Sequence, residues 1–299
     1  NGINLGNTME AYGHTTLGTA AKVSVYETYW GQPVTTADMV KGYRAAGFDT
    51  LRIPVAWTNK MNYESGDYTI AADYLDRVQE IVDYAIDAGM FVIVNDHWDG
   101  GWWGMFGSAS EATRNAAMEL YTSMWSQIAE RFKDYPDNLI FESANEELGN
   151  NLNLQTVAID SGTLDDNGKY EVSNLINRQF VNVIRNSGGN NDDRFLLIAG
   201  INTNIANTLD ARFKMPEDTA KDKLLVSVHY YDPWNYCGDN TKQCHWGLAN
   251  EYKYMNETLA QLKYFVDAGY GVVIGEYGAL MSDEGEYMYD YIDYHTNLL

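Results

Sequence analysis

Short apolar runs alternate with helical patterns from one end of this chain to the other, and that alternation restricts the fold more than any other feature. Strands are expected over residues 2–8, 50–57, 91–99, 139–146, 195–204, 224–232 and 271–279. Each is rich in Val, Ile, Leu or Phe without strict in–out alternation, the pattern of strands buried on both faces. Helices are expected over 36–46, 71–88, 110–132, 172–186, 252–268 and 285–297. The first of these opens on Thr36, a capping residue, and closes before Gly47. The second carries Leu75, Val78, Ile81, Val82 and Ala85 at helical spacing.

Such an order implies a parallel sheet with helices outside it, either a doubly wound sheet or a barrel. The barrel is favoured, because polar and aromatic residues collect at the C-terminal ends of the expected strands: Arg52, 95–98, 145–147, 202–204, 229–232, and Glu276 with Tyr277. In a TIM (β/α)8 barrel the active site sits on that face. No repeat or linker divides the 299 residues, so one domain over 1–299 is expected. The irregular stretches 150–169 and 233–249 are long enough to be functional loops.

A formal net charge of -22 repels phosphate backbones and argues against a nucleic-acid partner. No stretch approaches the roughly 20 apolar residues of a membrane helix. The two cysteines, Cys237 and Cys244, lie close together in a polar stretch. A local disulfide is expected, with two thiols as the alternative; it would favour an oxidising compartment, secreted or periplasmic. No second pair of ligands sits nearby, so no zinc site is expected.

Two carboxylates carry the chemistry. Glu146 follows the apolar run Leu139–Phe141, and Glu276 follows Val272–Gly275. An unpaired carboxylate at the end of a buried strand is costly. Each must therefore be half of a structural ion pair or a working group. Two carboxylates across a cleft are the minimum equipment for glycoside hydrolysis, one protonated to assist the leaving oxygen and the other ionised.

At these residues the chain resembles glycoside hydrolase family 5, and within it the subfamily 4 of endo-β-1,4-glucanases, lichenases and xyloglucanases. The resemblance runs through Asn4–Glu10, Glu27–Gly31 with Thr35 and Thr36, Leu51–Val55, Asn95–Trp102, Asn145–Glu146, His229–Tyr231 and Gly275–Gly278. It implies retaining, endo-acting hydrolysis of β-1,4-glucan backbones in cellulose-like glucan, mixed-linkage glucan and xyloglucan, with plant cell-wall polysaccharide as partner and no cofactor.

The roles it implies are Glu146 as acid/base and Glu276 as nucleophile. Asn145 would hold the sugar 2-hydroxyl, Arg52 and Tyr231 would donate to Glu276, and His97 and His229 would line the reacting-sugar subsite. Asn7, Trp98, Trp102, Trp103 and Trp234 would bind substrate, the indoles by stacking on sugar faces. Trp246 is the weakest such candidate. Glu147 stands where the family usually has Pro, and Trp98 where relatives often carry a second His. Adjacent side chains on a strand point apart, so only one of Glu146 and Glu147 would face the cleft.

Seven strands are expected and not eight; the chain ends after a helix, before an eighth strand and the sugar-stacking Trp that the family carries there. It therefore reads as a fragment truncated at its C-terminus, with a domain-swapped oligomer as the alternative, since an open barrel leaves two strand edges unpaired.

Overall fold

Seven parallel strands lie side by side in chain order: β1 (Gly2–Asn4), β2 (Thr50–Ile53), β3 (Phe91–Val94), β4 (Leu139–Glu142), β5 (Leu196–Asn204), β6 (Leu224–Tyr230) and β7 (Gly271–Tyr277). This computed structural model describes residues 1–99, 101–147, 162–239, 245–280 and 285–299; of residues 14–15 and 285–288 only the backbone is described. Long helices join most strands: α1 (Ala37–Ala45), α2 (Ala72–Asp87), α3 (Glu111–Phe132), α4 (Asp166–Arg185) and α5 (Ala249–Ala260), with α6 (Gly285–Leu298) after β7. Between β5 and β6 only the short helix Ile205–Thr208 intervenes. Among the described residues this is a nearly closed TIM-type barrel of seven strands, without an eighth unit.

The sequence accounts for the packing. Helix α2 buries Val78, Ile81, Val82 and Ala85, one stripe at helical spacing. On α3, fully buried Trp125 meets Phe141 of β4 at 5.7 Å between ring centroids and Phe180 of α4 at 4.7 Å. Three aromatic rings thus clamp two helices to one strand. Thr36 caps α1 by accepting from Met39 N, and Ser110 caps α3 by accepting from Thr113 N.

Three expectations need correction. Most strands are shorter at their C-terminal ends than their apolar runs suggest. The backbone leaves the ladder early to turn side chains toward the barrel mouth: Asn7 has φ +62° and Trp98 φ +48°, neither compatible with a strand. Helix α4 begins at Asp166, six residues before the apolar periodicity does, because Asp165 caps it through Gly168 N at 2.8 Å. The expected helix over 252–268 starts at Ala249 and gives way after Ala260 to a separate short helix, Lys263–Asp267. Cys237 is buried, while Cys244 and most of the loop 150–169 lie outside the described residues.

Strands β1 and β7 are paired on one side only among the described residues. Across the seam between them, Asn4 Nδ2 donates to Gly275 O at 3.0 Å. A cavity of about 700 Å³ opens there, lined by Ile3, Phe48, Ile93, Ile274 and His295 among others.

Candidate active site

Arg52, at the C-terminal end of β2, organises the barrel mouth. Its guanidinium is only 3% exposed and all three nitrogens are used. Nε donates to Glu142 Oε2 at 2.8 Å, Nη1 to Glu276 Oε1 at 2.8 Å and Asn4 Oδ1 at 3.0 Å, and Nη2 to Asn145 Oδ1 at 2.9 Å. One side chain therefore ties β1, β2, β4 and β7 together. Burial alone would weaken its charge; the Glu142 and Glu276 carboxylates outweigh burial and hold it above the usual guanidinium range.

Glu142 is the functional neighbour that sequence reasoning missed. It is fully buried at the end of β4 and accepts from Arg52, from Asn95 Nδ2 at 3.0 Å and from Ser227 Oγ at 2.6 Å. The signal was a Glu within the apolar run Leu139–Glu142, which demands a buried cation; the nearest one in the pattern was Arg52.

Glu276, on β7, accepts from Arg52 and from the Tyr231 hydroxyl at 3.0 Å. Register shifts in the β6–β7 ladder at Val228/His229, so that His229 lies opposite Glu276. Burial pushes the Glu276 carboxyl up, but His229, Arg52 and His97 outweigh it and hold it at about 2. Of these, Arg52 is the permanent charge: His97, buried beside that guanidinium, is itself pushed down to about 3 and is neutral at ordinary pH. Glu276 is therefore ionised.

Glu146 has a different setting. It lies beyond the end of β4, is 26% exposed and meets one histidine: His229 Nδ1 lies 2.7 Å from Oε1. No arginine touches it among the described residues. Which of the two atoms donates in this contact depends on the imidazole tautomer. Single ligand atoms of Glu146, His229 and Glu276 all lie within 4.8 Å of one another. Such an approach of single oxygens fits the roughly 5–5.5 Å carboxyl separation of retaining glycosidases better than the roughly 6.5–9.5 Å of inverting ones.

Glu147 faces away from this centre. It is 2% exposed; Oε2 accepts from Asn145 N at 2.7 Å and Oε1 from Trp98 N. Strand alternation does not explain the split, because β4 has ended by Glu142; the backbone turns instead. Burial pushes the Glu147 carboxyl up to about 8.

The aromatic expectations divide. Trp98 is 45% exposed and Trp234 63%, and Asn7 is exposed. Trp102 and Trp103 are fully buried, which corrects their expected role: neither offers a face to a sugar. The Gly-rich segment is not an open loop but the short helical turn Trp102–Gly107, which folds both rings inward. They stack on each other at 4.7 Å, and Trp103 Nε1 donates to Asp96 Oδ2 at 2.9 Å. Asp96 and Asp99 are fully buried together; burial first, then Asp99, raises Asp96 well above the usual carboxylate range. Trp246, 5% exposed, is likewise packed inside, donating to Asp293 at 2.9 Å.

The chain is 35% identical to the xyloglucan-specific endo-β-1,4-glucanase of Bacteroides ovatus over 95% of its own length and 56% of that protein's. It is 35% identical to endoglucanase A of Paenibacillus barcinonensis over 93% of its own length and 71% of that one's. Among solved structures, a family 5 lichenase from Caldicellulosiruptor sp. F32 superimposes with a TM-score of 0.85 at 31% identity, covering 99% of this chain and 79% of the other. The Bacteroides ovatus xyloglucanase in complex with a XXXG heptasaccharide does so with a TM-score of 0.83 at 33% identity, over 99% and 65%. The model of the cellulase family matches residues 9–298. The chain belongs to glycosyl hydrolase family 5, the cellulases.

Proposed function

We propose that this chain is a retaining endo-β-1,4-glucanase that cleaves cellulose-like glucan, mixed-linkage β-glucan and xyloglucan by double displacement. The observation that carries the reading is the unlike environment of two close carboxylates. Glu276 is held ionised by Arg52 and aimed by Tyr231, while Glu146 touches no arginine among the described residues and lies against His229 Nδ1 at 2.7 Å. In the first step Glu276 attacks the anomeric carbon as Glu146 gives its proton to the departing oxygen. In the second, Glu146 takes a proton from a water whose oxygen attacks the anomeric carbon, and the bond from that carbon to Glu276 breaks. Asn145 Oδ1 is occupied by Arg52, which orients its amide N–H groups as donors for the sugar 2-hydroxyl. Trp98 and Trp234 supply exposed indole faces for flanking sugars. Two carboxylates and water suffice, so the reading requires no cofactor.

Xyloglucan is included because the Bacteroides ovatus relative is named for it. A polymeric substrate too large to enter a cell supports an extracellular setting. No helix among the described residues is long and apolar enough to cross a membrane. Incubation with carboxymethyl-cellulose, barley β-glucan, xyloglucan and mannan, followed by reducing-end and viscosity assays, tests the reading. Rapid viscosity loss on the three glucans is expected. Reducing ends from mannan alone would refute it.

A further inference from the structure

Glu147 takes no part in the reaction just described, yet its carboxyl is placed with unusual economy. Two backbone N–H groups point at it, one from Asn145 and one from Trp98. They belong to the segments that follow β4 and β3, both already outside the strand ladder, which ends at Glu142 and Val94. The first segment carries Glu146; the second carries His97 and the half-exposed Trp98. One buried side chain thus spans two loops that line the reacting centre.

The Trp98 backbone needs such a hold. At φ +48° it sits in the left-handed region, which a bulky L-residue adopts only under strain. A buried carboxyl accepting from its N–H keeps it there. Asn145 is doubly tied, with its N–H on Glu147 and its side chain on Arg52, so residue 146 between these contacts has little freedom to swing.

We propose that Glu147 is a positioning residue that fixes the aim of the Glu146 carboxyl at the glycosidic oxygen by tying the Glu146 loop to the Trp98 loop. The inference rests on Glu146 being the acid/base. Proton transfer demands donor and acceptor at about 2.6–3.2 Å, and a misplacement near 1 Å costs about 10²-fold. The effect of losing Glu147 should therefore fall on protonation of the leaving group and spare attack by Glu276.

Leaving-group dependence reads this out. Cellotetraose needs the proton; 2,4-dinitrophenyl β-cellobioside has a leaving group that departs without it. Glu147→Gln keeps the volume but only one acceptor oxygen, and Glu147→Ala keeps none. The expected result is a fall in kcat/KM on cellotetraose of about tenfold or more, larger for Ala than for Gln, with less than about threefold change on the aryl glycoside. Equal losses on both substrates, or no loss on cellotetraose, would overturn the proposal. So would a Gln variant that does not fold, because Glu147 would then be a stabilising group. Glu146→Ala, run alongside, should show the same selectivity to a greater degree. Should it lose equally on both, the acid/base assignment itself fails, a result separable from the Glu147 outcome.

Discussion

Strands β6 and β7 are neighbours with similar sequences and different circumstances. Both run through Val and Ile or Leu, both end in site residues, and Val226 pairs in register with Val272. Yet β6 is buried along almost its whole length, while β7 is only partly buried throughout. The difference comes from the sheet: among the described residues β6 has a strand on each side, whereas β7 is paired with β6 alone and faces the seam toward β1. His229 on β6 is therefore placed by packing. Glu276 on β7 is placed chiefly by polar contacts to Arg52 and Tyr231 reaching across the mouth. Where the hydrophobic core is thin, side-chain hydrogen bonds set the geometry.

The largest expected effect falls on the chemistry. Glu276→Ala should cut kcat/KM on barley β-glucan by about 10⁴-fold or more, and it should also lower the unfolding midpoint, since buried Arg52 loses a carboxylate whose ionised form stabilises the fold. A loss under tenfold would mean that β7 does not carry the nucleophile. Arg52→Met comes next and attacks the placement itself. It strands the fully buried Glu142 without its cation, at a cost of about 3–5 kcal/mol in urea unfolding. It also frees Glu276 to titrate higher. In the intact protein the Glu276 carboxyl, held at about 2 against 4.5 when unperturbed, contributes stability that is complete above about pH 4.5 and is lost as pH falls toward 2. In the variant the acid limb of kcat/KM should move up in pH. An unmoved acid limb would show that Arg52 is not the charge that keeps Glu276 ionised.

The same contrast explains how much was legible in the sequence. Strand cores and the long helices were readable because burial on both faces leaves an unbroken apolar run, and one-sided burial leaves a helical stripe. Arg52, Glu146 and Glu276 stood out because charges adjoin those runs. What escaped depends on backbone turns that apolar patterning does not encode. Strand β3 stops at Val94, four residues before the left-handed Trp98, and Glu147 turns inward beyond the end of β4. Trp102 and Trp103 looked like loop indoles beside glycines, but Asp96, only a few residues upstream, accepts from Trp103 and draws it into the core with Trp102 stacked on it. Glu142 was hidden inside an apolar run, and only its three donors explain its presence there.

The smallest effect is the most direct measure of the seam. Val226→Ala and Val272→Ala remove the same two methyl groups from paired positions on β6 and β7. At fully buried Val226 the lost transfer energy and the cavity left behind should cost about 2 kcal/mol. At partly buried Val272, where solvent already reaches the side chain, the cost should stay below about 1 kcal/mol. Urea unfolding of both variants gives the comparison directly. Equal costs would mean that β7 is as well covered in solution as β6. The polar network around Arg52 would then be needed for catalysis alone, and not to hold a half-packed strand in place.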